Sequence, residues 1–103
     1  MNLLIHKMTD NKKVGFEEIP NEIQMGRESA LLGMYEKSLR HMRTALLSIH
    51  EHVRTLSDPV IIDSWEKVEK EIKDETKIIS DIYTSLDVFK VRDLLLRRAS
   101  NQW

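Results

Sequence analysis

Between residues 35 and 56 the apolar positions keep a regular beat. Tyr35, Leu39, Met42, Leu46, Ile49, Val53 and Leu56 step by four, three, four, three, four and three residues. Alternating steps of three and four hold all of these side chains on one side of an α-helix, and the heptad-like seam carries a left-handed packing preference. Ser57-Asp58-Pro59 follows. This tripeptide offers a cap and then a proline suited to a first turn, so it is expected to end one helix and begin another. The next helix is expected from Pro59 toward Lys90, with Ile61, Trp65, Val68, Ile72, Ile79, Ile82, Leu86 and Phe89 on one stripe and Glu75 as its polar interruption. Ile62, Ile78 and Tyr83 widen that stripe, as expected of a helix touching two neighbours. At 1.5 Å per residue it would be about 45 Å long.

Upstream, Pro20 suits a first helical turn, Ile19, Ile23, Gly26 and Ala30 share a face, and Gly33 offers a stop. The result is a helix of roughly 13 residues. Small residues four apart let a neighbour approach closely, and the glycine costs ~1 kcal/mol in helix propensity. Residues 1–18 carry no sustained period, and Asp10-Asn11-Lys12-Lys13 with Gly15 reads as a flexible lead-in. Residues 91–103 start amphipathically with Val91, Leu94 and Leu95 and end polar, so they either extend the third helix or dangle as the start of a linker. Strand-like alternation is missing from the sequence. The expected fold is all-α, an antiparallel three-helix bundle over residues 19–90 with a long third helix. Tyr35, Leu46, Ile49, Trp65 and Ile72 are placed in its core, and loss of the Trp65 ring is expected to cost ~3–5 kcal/mol.

Composition narrows the function more than the fold. A chain of 103 residues holds one domain at most, and 41% hydrophobic with 32% charged residues is too apolar for a disordered segment. A net charge of -1 and a pI near 6.4 give no global basic excess for nucleic acid. Without cysteine there is no disulfide, zinc-thiolate site or thiol catalysis. The longest apolar runs, such as Val60 to Ile62 and Leu94 to Leu96, are three residues, which excludes a membrane-spanning helix. The opening stretch, interrupted by His6 and Lys7, is too short for a signal peptide.

Clusters with chemical potential are few. His50 and His52 sit about 200° apart on a helix and His41 is more than two turns away, so the three are expected to be solvated surface residues with no shared metal. Glu66 with Lys70 and Glu69 with Lys73 should be solvated ion pairs worth ~0.3–0.5 kcal/mol each. Glu75 is either a carboxylate reaching solvent at the bundle edge or a partner contact. No glycine-rich phosphate loop, serine elbow or nucleophile with a base appears, so no catalytic residue is assigned. Lys37, Arg40 and Arg43 recur every three residues, with Arg54 farther along. They form either a solubilising face or a stripe that meets an acidic surface by screened attraction. Leu31, Leu32, Met34, Ile62 and Ile78 exceed what a small core can cover. They either receive a partner or are covered by residues 91–103 folding back.

The stretch Ala30-Leu31-Leu32-Gly33-Met34-Tyr35-Glu36-Lys37-Ser38 is similar to a tetratricopeptide turn, but nothing repeats it and the third helix is too long. The chain better resembles a microtubule-interacting and trafficking (MIT) domain. Within that class it resembles the amino-terminal domain of the katanin catalytic subunit. Arg27-Glu28-Ser29-Ala30-Leu31-Leu32-Gly33, Tyr35, Asp58-Pro59, Trp65, Glu75, Ser85-Leu86 and Phe89-Lys90 fall in that family's order, and the likeness covers about residues 22–90. Ser29 stands where the family usually has Tyr, Gly26 where it has Ala, and Lys37, Arg40 and Arg43 where it is mostly polar or apolar.

The resemblance implies a non-catalytic targeting domain that binds microtubules and the carboxy-terminal domain of katanin's WD-repeat regulatory subunit. It would deliver a microtubule-severing AAA ATPase to its lattice in the cytoplasm, at the spindle and at the centrosome. On this reading the chain is a piece or a truncated product of such a protein. It needs no cofactor of its own, since ATP and magnesium belong to the ATPase module. Nucleic acid and membrane insertion are not among the expected interactions. Two alternatives stand beside it: an MIT domain of the vacuolar-sorting class that captures tail helices of membrane-remodelling (ESCRT) proteins, and a plain oligomerisation bundle favoured by the heptad seam.

Overall fold

A computed structural model describes residues 14–100, with the side chain of Ser100 left aside. Most of the lead-in expected over residues 1–18, and the end of the expected C-terminal extension at 101–103, lie outside the described residues. A short 3-10 turn, Phe16–Glu18, leads into α1 (Ile19–Leu31), followed by α2 (Tyr35–Val53) and α3 (Pro59–Ser100). Among the described residues every regular element is helical, and the three α-helices form the expected bundle.

Each boundary has a local cause. Pro20 lies in the first turn of α1, as expected. At the other end Gly33 takes φ 78°, a left-handed conformation that glycine adopts without a Cβ penalty. The N–H of Met34 then bonds the carbonyl of Ser29 at 2.8 Å and the N–H of Gly33 that of Ala30 at 3.0 Å, which satisfies carbonyls the helix would leave open. At the start of α3 the Asp58 carboxylate accepts the Val60 N–H at 2.9 Å, so Asp58 is the residue of the Ser57-Asp58 pair that caps. α2 ends at Val53, before the last seam position, and half-buried Leu56 sits in the turn beyond it.

The core joins Ile19 and Ile23 of α1, Leu39, Met42, Ala45 and Ile49 of α2, and Ile72 and Ile79 of α3. Ile49 and Ile72 are fully buried as expected. Tyr35, Leu46 and Trp65 are not: they are half-buried and pack against the core's rim. Trp65 stands in the second turn of α3 beside the end of α2, its ring meeting the His52 ring edge-on at 5.3 Å. The buried face of α2 is broader than its apolar seam, because α1, α3 and the segment before α1 all pack on it. Ser38, Thr44 and Ser48 are therefore buried too. The Ser38 hydroxyl donates to the Gly26 carbonyl at 2.6 Å, and the Ser48 hydroxyl donates to the Thr44 carbonyl at 2.8 Å while accepting the Val14 N–H at 2.8 Å. Gly26 permits this closeness: a Cβ there would lie 3.1 Å from the Met42 sulfur.

The histidine expectation needs correction. His50 is exposed, but His41 is a partly buried residue whose Nδ1 lies 3.0 Å from Glu22 Oε1, in the crease where α1 and α2 meet. His52 stacks on Phe16 at 4.7 Å with 12° between the rings, because the 3-10 turn folds against the end of α2. The charge ladder of α3 also differs in part. Lys73 reaches Glu69 at 3.9 Å as expected, whereas Lys70 turns forward to Asp74 at 2.9 Å rather than back to Glu66.

α3 is longer than the stripe implied. It runs unbroken for 42 residues, about 63 Å at the helical rise, whereas the 19 residues of α2 span only about 28 Å. The bundle cannot cover the excess. Ile82, Leu86 and Phe89 keep the register of the stripe yet are 40%, 40% and 60% exposed. Residues 91–100 thus extend the helix instead of folding back.

Candidate functional site

Two kinds of surface survive folding. The first is cationic. Lys37, Arg40 and Arg43 are exposed, and none has an ion-pair partner among the described residues. Arg54 lies 3.4 Å from Glu51 and is the least available of the set. With about 100° of rotation per residue, Arg40, Arg43 and the exposed Leu47 and His50 share the outward face of α2, and Arg54 follows at its end. Lys37 is displaced toward α1, where it borders a shallow hollow of about 220 Å³ with Met25, Glu28, Leu32, Met34 and His41. The four cations expected as one stripe are thus a face of three, one of them paired, and a separate lysine.

The second surface is apolar. A groove of about 380 Å³ runs between α1 and α3, walled by Ala30, Leu31, Tyr35, Ile78, Ile79 and Ile82. Leu31 and Ile78, 87% and 59% exposed, stand on its two rims. Leu32 and Met34 belong instead to the hollow between α1 and α2. Ile62 is half-buried near the start of α3, remote from both. The five residues expected to receive a partner are therefore divided among three places.

Arg27 and Glu75 also line this groove. Arg27 Nε donates to Glu75 Oε1 at 2.8 Å and its Nη2 to Glu75 Oε2 at 2.6 Å, a planar fork on a carboxylate. The same Nη2 reaches Glu71 Oε1 at 3.0 Å. Hydrogen bonding to Glu75 is the main cause that raises the Arg27 pKa above its ordinary value; burial works against it, while the charges of Glu75 and Glu71 add to it. Glu75 thus breaks the apolar stripe in order to bridge α3 to α1. No local pattern along the chain marks this pairing, because the two residues are 48 positions apart.

Among the described residues no group of three or more His, Asp or Glu side chains is placed to hold a metal ion, and no helix is long and apolar enough to cross a membrane. What the arrangement can do is bind: a cationic face attracts acidic surfaces, and an apolar groove accepts side chains from a partner.

Comparison with known proteins agrees with this architecture. The family model for the MIT domain of the katanin p60 A1 subunit matches residues 19–82, more than half of the chain. The chain is 35% identical over 74 residues to the katanin p60 A-like 1 protein of Danio rerio, an ATPase-containing subunit, and 32% identical over 74 residues to its counterparts in Homo sapiens and Sorex araneus. Each alignment covers 72% of this chain and 15% of the relative, so the chain spans about one-seventh of the length of these proteins. No solved structure matches the chain. A three-helix bundle capped at Gly33 and Asp58, matched from the start of α1 to Ile82, places this chain in the katanin p60 family as a bearer of its MIT domain.

Proposed function

We propose that this domain targets a katanin-like severing ATPase to microtubules, binding the lattice weakly through the outward face of α2. The observation that carries this reading is the pair Arg40 and Arg43, exposed and without a carboxylate partner among the described residues, on a katanin MIT domain. The acidic tails of tubulin are flexible polyanions, so the attraction is long-ranged and screened, with a Debye length of ~8 Å at physiological salt. One domain then binds modestly, and useful occupancy comes from several domains on one assembly. Nucleotide chemistry, with its ATP and magnesium, belongs to the ATPase module that the domain positions. The site of action is the microtubule cytoskeleton of the cytoplasm.

Co-pelleting with microtubules tests this. Arg40→Glu with Arg43→Glu should abolish pelleting at low salt while helicity by circular dichroism is unchanged, and added salt should weaken the unmodified protein similarly. Equal pelleting of the double variant and the unmodified protein would sink the assignment.

A second contact is supported by the α1–α3 groove, an apolar hollow with Leu31 and Ile78 exposed on its rims. It suits the helical carboxy-terminal domain of the WD-repeat regulatory subunit. Docking there should show a negative heat-capacity change in calorimetry. Binding that is unaffected by Leu31→Glu would place that contact elsewhere.

A further inference from the structure

The outer half of α3 lies largely beyond the MIT match, which ends at residue 82. Its first apolar stripe continues Ile79 of the groove through Ile82, Leu86 and Phe89 to Leu96, with Asp93 in register but held by Arg97 at 2.9 Å. Val88, Val91, Leu94 and Leu95, on the opposite side with Asp87 and Arg98 among them, are 53%, 51%, 64% and 61% exposed. A helix apolar on opposite sides has the pattern of one packed between neighbours. A membrane-surface helix instead separates one apolar from one polar face, which this segment does not.

The charges indicate which neighbour. The positions flanking the first stripe carry Lys90 along one edge, where Arg97 is already paired with Asp93, and Arg92 along the other, and no acid on either. A second copy of this chain, stripe against stripe, therefore presents no flanking carboxylate to these cations. Flanking positions set partner choice in helical pairs, and like charges across such an edge are unfavourable. We infer that residues 82–98 insert into a helical hairpin of another protein, whose two amphipathic helices cover both apolar sides and carry glutamate or aspartate along their edges. The surface is continuous with the α1–α3 groove through Ile79 and Ile82, but its occupancy does not depend on microtubule binding.

The test uses the full chain and two fluorescent designed helical hairpins with the same leucine seams, one edged with glutamate and one with lysine. By anisotropy the glutamate hairpin should bind at least tenfold more tightly. Leu86→Ala with Phe89→Ala should weaken it at least tenfold without changing the thermal melt, since both side chains lie outside the core. Alanine keeps the helix intact. Lys90→Glu with Arg92→Glu should reverse the preference between the hairpins. Equal binding of both hairpins, or binding indifferent to the Leu86 and Phe89 changes, overturns the proposal. So does a concentration-dependent dimer that those alanines abolish in the absence of hairpin binding, which would make the occupant a second copy. Flotation of the chain with anionic vesicles, lost in the same variant and again without hairpin binding, would make it a lipid surface.

Discussion

Removing Arg27 measures whether the bridge from α1 to α3 explains the glutamate inside the apolar stripe. The fork to Glu75 is short, at 2.8 and 2.6 Å, and Glu75 is only 28% exposed, but the Arg27 side chain is 46% exposed, so solvent screens the pair. Exposed ion pairs contribute about 0.2–1 kcal/mol and bidentate charge-assisted ones more. A double-mutant cycle of Arg27→Ala and Glu75→Ala, followed by urea unfolding, should therefore return a coupling of about 1 kcal/mol. The same cycle with Glu71, a single contact at 3.0 Å to a carboxylate that is 65% exposed, should return about 0.3 kcal/mol. For a domain of this size 1 kcal/mol corresponds to about 4–8 °C in Tm. In about 1 M salt, where the Debye length is near 3 Å, the Glu75 coupling should fall below half. A coupling indistinguishable from zero, or one equal for Glu71 and Glu75, refutes the argument. Glu75 would then be a carboxylate tolerated at the edge, holding nothing.

Other substitutions test the packing. Ile49, fully buried between the helices, should cost about 2–4 kcal/mol when cut to Ala, read as a lower urea midpoint with an unchanged slope. Trp65→Ala should cost about 2 kcal/mol rather than the 3–5 of a core ring, because Trp65 is half-buried; Lys67→Ala, at a site 79% exposed, should shift stability by less than about 0.5 kcal/mol. Equal melts for these two variants would mean that Trp65 does not pack on the core. Gly26→Ala should be near neutral, since about 1 kcal/mol of helix propensity offsets the push on Met42, whose thioether is flexible. Gly26→Val, with two more carbons against a sulfur already 3.1 Å from the Cβ position, should destabilise by about 2 kcal/mol, and a Val variant as stable as Ala would show that the helices part freely.

The sequence by itself determined what is written within a turn or two of chain. The four-three seam of α2, proline in the first turn of α1, the left-handed Gly33 and the cap before Pro59 each depend on neighbours only a few residues away, so helix number and most boundaries were legible. The run Arg27 to Gly33 with Tyr35 and Trp65 also pointed to the family. Only the tertiary structure decided which parts of each stripe are covered. α2 is covered by α1, by α3 and by the segment before α1, so Ser38, Thr44 and Ser48 are buried although no apolar period marks them. The apolar pattern of α3 continues through Phe89 without change, yet burial stops because α1 and α2 are too short to follow. The division of Leu31, Leu32, Met34, Ile62 and Ile78 among separate places, and the fork of Arg27 on Glu75, arise from residues brought together across dozens of positions. Periodicity records which side of a helix is apolar; only the packing of a neighbour decides whether that side meets protein or water.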